Sequence, residues 1–321
     1  MVDHELSPAQ RRVWASLPAG SREALAALSG ADLQTLLLSV AADRAARVTP
    51  AAVLRRWRTD RLVRPCATDP RVLAGVESRL WSLLPAEFDA VELSPVAPLG
   101  TCTAVAPVSQ HRIVTATRSV EVVADCTNAL AVEAADRRSR QPTTGQVHLA
   151  ASHRLLRAQR FPAGWSSHFR LFALVSSARD TGSGRTQARL LALHLDYWQR
   201  VLTALLPETE FAFRTAFFHP AVRERFGDQP GLSIVDLPDA ARFQGYYAEA
   251  HWRTMARGAD GAFVELGDGG LTTWTAQLLG NAKERCLVSC LSVERLAALH
   301  SAQTAGPADV AGPPGPDGRH S

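Results

Sequence analysis

Apolar residues recur at helical intervals early in the chain and give way to strand-like runs in the middle. In "SGADLQTLLLSVAADRAAR" (29–47) leucines and alanines return every three or four positions behind Ser29 and Asp32, which stand at capping-box spacing. Thr49-Pro50 opens another helix, with Thr as the cap and Pro in the first turn. "RPCATDP" (64–70) interrupts the pattern, and "PRVLAGVESRLWSLLP" (70–85) resumes it as an amphipathic helix. Strands are then predicted in "FDAVELSPVAPLG", "RIVTATRSVEVVAD", "VHLAASHRLLRAQ" and "HFRLFALVSSARD". A long helix follows in "RTQARLLALHLDYWQRVLTALLP", with Leu190, Leu193, Leu195 and Trp198 near one another on its apolar side. After it come "FRTAFFHP", "FQGYYAEAHWRTMA", "GAFVELGDGG" and a closing segment, "NAKERCLVSCLSVERLAALH".

Helices, then strands in series, then helices predict an α+β fold on an antiparallel β-sheet, with an N-terminal helical region in front of it. The expected division is 1–68 for that region, 69–300 for the core and 301–321 for a disordered tail of Gly, Pro, Ala and Asp. No internal repeat is evident.

Composition narrows this picture. The chain has 321 residues, 46% of them apolar and 21% charged, as in an ordinary soluble globular protein. Lys283 is the one lysine among 35 basic residues, so a lysine-dependent phosphate loop is excluded. The net charge of +4 resides in residues 1–68, densest in "LRRWRTDRLVR" with Arg55, Arg56, Arg58, Arg61 and Arg64. That stretch reads either as a solvated face or as a surface for RNA or an acidic carrier protein. Five cysteines without a CxxC pair, no signal-peptide pattern and no apolar run long enough for a bilayer point to a cytoplasmic chain with reduced thiols and no membrane contact. Cys286 and Cys290, placed to share a helix face, read as buried small residues, and no zinc spacing occurs.

Candidate chemistry lies in several short motifs. "SRLWSLLPAEFDAVELSPVAPLG" is a helix and strand ending near Pro95; Arg157-Ala158-Gln159, a loop through Trp165 and Arg170-Leu171-Phe172 come next; "CLSVERLAAL" supplies Glu294, Arg295 and Leu296. In this order they resemble the three motifs of the class II aminoacyl-tRNA synthetase core. The resemblance spans roughly residues 70–299 and is closest to the histidyl enzyme and its paralogue, the regulatory subunit of ATP phosphoribosyltransferase. "ADCTNALAVEAA" is similar to the histidyl segment that receives an ammonium group, with Asp125 and Thr127 on its Glu and Thr. "RFQGYYAEA" is similar to its Arg-Gly-Leu-Asp-Tyr-Tyr signature, with Arg242, Tyr246 and Tyr247 matching. "GDGGLTTW" parallels its glycine-rich turn without the Arg-Tyr-Asp. Gln159 replaces a Glu, Leu174 a polar residue and Ser292 a glycine, and no anticodon-binding domain follows residue 300.

The resemblance implies an ATP and Mg²⁺ site and a homodimer. Arg157 would hold the α-phosphate, Gln159 and Phe172 the adenine, Arg170 would support them, and Glu294 and Arg295 would serve the γ-phosphate side. Arg242 would sit near the α-phosphate or the attacking carboxylate, while Asp125, Thr127, Tyr246 and Tyr247 would receive a small amino acid or related carboxylate. Activating a carboxylate builds charge on phosphoryl oxygens, which fork-shaped, permanently charged arginines neutralise well. Asp125 reads equally as a helix cap, and the tyrosine pair as core. Three functions are expected in order: carboxylate adenylation with transfer to a non-standard acceptor (a small amine, a carrier protein or an RNA end), a non-catalytic regulatory paralogue, and an RNA-binding module.

Overall fold

A computed structural model describes residues 6–106, 108–141, 145–161, 165–227, 229, 231–238 and 240–304, without the side chains of Ala240 and Arg242. The N-terminal region is helical, with α1 (Pro8–Ala15), α2 (Ser21–Ala27), α3 (Gly30–Ala45) and α4 (Pro50–Thr59), and α3 and α4 start at the caps read from the sequence. Ser29 accepts the Asp32 N–H, Thr49 accepts the Ala52 N–H, and Ser7 with Gln10 closes a capping box ahead of α1. None of the four helices buries a residue.

The core starts at α5 (Pro70–Ser82), capped by Asp69, where Leu73, Val76 and Leu80 fall on one face and are buried. Then follow β1 (Asp89–Ala90), β2 (Val96–Pro98), α6 (Thr101–Val105), β3 (Thr115–Ala116), β4 (Val120–Val122) and α7 (Cys126–Ser139). The long hairpin β5 (Gln146–Leu156) and β6 (His168–Arg179) leads into α8 (Arg185–Leu205). The chain continues through β7 (Phe211–Phe217), α9 (Pro220–Phe226), β8 (Ile234–Asp236), β9 (Ala250–Arg257) and β10 (Phe263–Thr272). It ends with α10 (Trp274–Leu279), β11 (Glu284–Ser292) and α11 (Val293–Thr304).

Eight strands make one sheet in the order β1-β5-β6-β11-β10-β9-β7-β8. Its six inner strands pair antiparallel as predicted, but β1 and β8 join the edges in parallel, so the sheet is mixed. Parallel pairing needs a crossover, and α6 and α7 lie between β1 and β5 in the chain. Two predicted long strands are instead broken into short pieces: the first gives β1 of the large sheet and β2, and the second gives β3 and β4, with β2-β4-β3 forming a separate sheet whose tight turn holds Ser119 at φ 56°. "GDGG" runs within β10 rather than as a turn, and Cys286 and Cys290 lie on strand β11, where a separation of four also gives one face. The last helix runs through Thr304, so residues 301–304 of the predicted tail are helical; residues 305–321 lie outside the described residues.

Strand alternation sorts the core into two layers. Phe172, Leu174, Leu287 and Leu291 pack with Tyr197, Trp198 and α5 on one face. Leu171, Ala173, Val175, Cys286 and Val288 pack with Leu130 and Ala131 of α7 on the other. Each such Leu or Phe contributes roughly 1.5–3 kcal/mol by leaving water. A buried polar chain crosses the first layer. Trp198 Nε1 donates to Ser289 Oγ at 2.9 Å, and His194 joins Ser289 at 2.9 Å to Ser176 at 2.8 Å. Ser176 reaches His148 at 2.7 Å, and His148 Nε2 lies 3.2 Å from Gln146 Oε1. Each hydroxyl can donate onward in one direction, so every side chain of this relay, from Trp198 to Gln146, is served.

Candidate functional site

Two cavities share a wall where β10 and β11 meet the start of α7 and the end of β5. The smaller, about 250 Å³, is lined by Asp125, Thr127, Arg157, Tyr246, Tyr247 and Asp268, among others. The larger, about 480 Å³, takes in Arg157, Trp165, Phe169, Asp268, Glu294 and Arg295. Arg157, Glu265, Asp268 and Cys290 belong to both. Segments far apart in sequence thus bring seven of the predicted residues together. A cavity of about 730 Å³ at the β7–α9–β8 edge contains none of them.

Arg157 follows β5, and three groups fix its guanidinium. Nε donates to the Ala124 carbonyl at 2.8 Å, Nη2 lies 3.7 Å from Asp125 Oδ2, and the guanidinium carbon stands 5.1 Å from the Phe169 ring centre. Asp125 caps α7, with Oδ1 accepting from the Thr127 N–H at 2.9 Å and hydroxyl at 2.7 Å. Asp125 is thus a helix cap, as one sequence reading has it, and also part of the cavity wall. Arg295 donates to the Glu265 carbonyl and lies 4.3 Å over the Trp165 ring. Burial pulls its pKa down, yet a guanidinium stays charged.

Phe172 is a correction. It is wholly buried in the layer beneath the sheet, 4.6 Å from Trp81, and Phe169 takes the position facing the larger cavity. The two differ by an odd number of strand residues, so they point to opposite faces. Arg170 is corrected on the same ground, since its side chain pairs with Glu77 of α5 at 2.8 Å. Leu174 likewise belongs to the lower layer. Glu294 reaches the cavity wall, but its carboxylate accepts the Arg170 N–H at 2.8 and 3.0 Å and pairs with Arg154 at 3.3 Å. Gln159 is in neither wall; its carbonyl accepts from Arg61 at 2.9 Å. Ser292 lines the larger cavity and is not among the residues with positive φ, so the missing glycine costs no strain there. The side chain of Arg242 lies outside the described residues.

The tyrosine pair forms the far wall of the smaller cavity. Tyr246 and Tyr247 meet edge to face at 4.8 Å, Tyr246 abuts Trp274, and Tyr247 stacks on His251 at 4.4 Å. The Tyr247 hydroxyl donates to Asp268 Oδ2 at 3.0 Å. Burial pushes both phenols and the Cys290 thiol well above their ordinary pKa, and the Asp268 charge adds to this, so all three keep their protons. An added Cβ at Gly270 would collide with the Tyr247 ring, so the glycine is what lets that ring close against β10. Sequence reasoning missed Phe169, Trp165, Glu265, Asp268 and Cys290.

The segment after α4 belongs to the site as well. Arg61 donates to the Ala158 and Gln159 carbonyls and to Ser167 Oγ, and His168 Nε2 lies 2.6 Å from the Arg64 carbonyl. Cys66, Ala67 and Thr68 line the larger cavity. The break at 64–70 is therefore a strap across the Arg157 loop. Among the described residues, no group of three or more His, Cys, Asp or Glu could hold a metal ion, and no helix is long and apolar enough to cross a membrane.

No family model matches the sequence, and no curated protein matches it. Solved structures do. The apo histidyl-tRNA synthetase of S. aureus superposes with a TM-score of 0.54 at 16% identity, covering 73% of this chain and 66%, just under two thirds, of that one. A structure titled as the RNA binding domain of threonyl-tRNA synthetase from Cryptosporidium parvum gives 0.57 at 10% identity, over 74% of this chain and 65% of that one. An ATP phosphoribosyltransferase regulatory subunit/histidyl-tRNA synthetase from Bacillus halodurans gives 0.51 at 10% identity, over 74% and 81%.

Proposed function

With the class II aminoacyl-tRNA synthetase-like fold of this chain as the premise, we propose that it activates an amino acid or related carboxylate with ATP and passes it to a non-standard acceptor. One observation carries the reading: Arg157 stands in the wall of both cavities, one sized for a small acid and one continuous with Arg295 and two aromatic rings. Bound ATP would supply the adenylyl group. Phe169 and Trp165 offer flat faces for a purine, and Arg295 offers charge for the outer phosphates. Arg157 neutralises the oxygens on which charge grows as a carboxylate oxygen attacks, and it needs no reorganisation because Ala124, Asp125 and Phe169 already fix it. In this reading magnesium bridges the phosphates of ATP, a role it fills with few protein ligands. A homodimer formed through the unit ending at Pro95 and a cytoplasmic location belong to the same proposal.

The test is ATP–pyrophosphate exchange with a panel of amino and organic acids, beside calorimetric titration with ATP. Exchange that depends on Arg157 supports the reading; the absence of both exchange and ATP binding would refute it.

A second reading is a regulatory paralogue that binds a small molecule and a partner. The N-terminal region favours it: α3 and α4 expose Leu36, Leu37, Val40, Val53, Leu54 and Trp57 beside the arginines. Apolar patches of this kind mark interaction sites. An acidic carrier protein or RNA docking there would serve either reading. Ligand binding without exchange would favour the second.

A further inference from the structure

Three carboxylates line the smaller cavity, and two are already balanced. Asp125 caps α7 and pairs with Arg157. Glu265 pairs closely with Arg253. Asp268 differs. Among the described residues it has no Arg or Lys partner: Oδ2 accepts from the Tyr247 hydroxyl at 3.0 Å and Oδ1 lies 4.0 Å from Cys290 Sγ, both neutral groups. The nearest ring nitrogen, His251 Nε2, is 3.7 Å from Oδ2. That imidazole is wholly buried between the Tyr247 and Phe243 rings, and neither of its nitrogens has a hydrogen-bond partner among the described residues.

A carboxylate in a cavity wall without an Arg or Lys partner is a costly arrangement for the protein alone, and a ligand bringing N–H donors relieves it. Arg157 on the same wall offers the opposite charge. We propose that Asp268 anchors the ammonium group of the ligand, so the cavity takes an amino acid as a zwitterion with its carboxylate toward Arg157. This rests on the adenylation reading and moves the ammonium site from Asp125, whose charge is spent, to Asp268. A magnesium ion held by this one carboxylate and the phosphates of ATP is the competing occupant, and the magnesium dependence of ATP binding separates the two. An ammonium group needs up to three acceptors.

The test uses the full chain and its Asp268→Asn variant, which keeps the shape and a hydrogen-bond acceptor for Tyr247. Both are titrated with ATP, with the twenty standard amino acids, ornithine and β-alanine, and with the 2-hydroxy acid matching any amino acid that binds. At least one amino acid is expected to bind the wild type about 30-fold or more tightly than its hydroxy analogue. D268N should lose that preference while keeping its melting temperature, with ATP affinity measured on both proteins because Asp268 also lines the larger cavity. Asp268→Glu, carrying the charge on a longer stem, should recover part of it. The inference is overturned if no amine in the panel binds the wild type better than D268N, or if D268N loses magnesium-dependent ATP binding and keeps amine preference. Loss of ATP binding in the wild type refutes adenylation but leaves the amine comparison to decide the role of Asp268.

Discussion

Arg157 holds its guanidinium 5.1 Å over the ring of Phe169 while its Nε is bound to the Ala124 carbonyl. A side chain fixed on two sides is prepared for charge before any ligand arrives. Arg157→Ala is expected to lower pyrophosphate exchange by roughly a hundred- to a thousand-fold. Arg157→Lys should restore little, because an ammonium group lacks the planar fork. Exchange rates at saturating acid measure this, and a loss under fivefold would remove Arg157 from the chemistry.

The two phenylalanines of β6 should separate binding from stability. Phe172→Ala empties a site packed by Trp81, Tyr197 and Trp198 and should cost about 3–5 kcal/mol of unfolding free energy. Phe169→Ala, at the cavity wall, should weaken ATP binding with a much smaller effect on stability. Urea unfolding and calorimetry on both variants provide the comparison.

Arg138 and Glu284 pair at 2.8 Å with side chains 2% and 4% exposed. Glu284→Ala leaves a buried guanidinium without this partner and is expected to cost about 3–5 kcal/mol, read from denaturant midpoints. Replacing both with apolar residues of similar volume should restore most of the loss.

Acid should weaken the fold through the buried histidines. Burial, with a contribution from Arg189, pulls the His148 pKa down to about 4, and burial takes His194 well below its ordinary value. In the unfolded chain both titrate near ~6.5, so between those values the unfolded state holds more protons. The stabilising difference is fully present above ~6.5 and is lost as pH falls toward about 4, with a slope up to about 1.4 kcal/mol per pH unit for each histidine. Urea midpoints at pH 7.5, 6 and 5 measure it; a flat profile would contradict neutral burial.

Arg61→Ala should release the strap. Its guanidinium is bound to two carbonyls of the Arg157 loop and to Ser167, while α1–α4 bury nothing. Limited proteolysis is expected to cleave near residues 60–68 faster in the variant, with the melting temperature of the core little changed.

The core helix was legible in the sequence because its signal is local: Leu73, Val76 and Leu80 repeat at helical spacing. The residues around the two cavities carry no such local pattern, and Asp125, Arg157, Tyr246, Tyr247 and Arg295 were singled out by resemblance to the synthetase motifs. The orientation of β6 was not legible. In "HFRLFALVSSAR" both faces are buried, so apolar residues do not alternate and nothing distinguishes Phe169 from Phe172. Asp268 was hidden for another reason: glycines signal turns, but Gly267 and Gly270 stand in β10, where an added Cβ would meet the Cys290 carbonyl or the Tyr247 ring. That constraint comes from neighbours distant in the chain and leaves no trace in local spacing.

The wall shared by the two cavities makes their occupants thermodynamically inseparable. Whatever binds one alters the charge and hydration of Arg157 and Asp268 as the other meets them. Reciprocity then requires that an acid raising the affinity for nucleotide has its own affinity raised by the same factor. Affinities measured with either ligand alone therefore describe a different protein from the one that holds both.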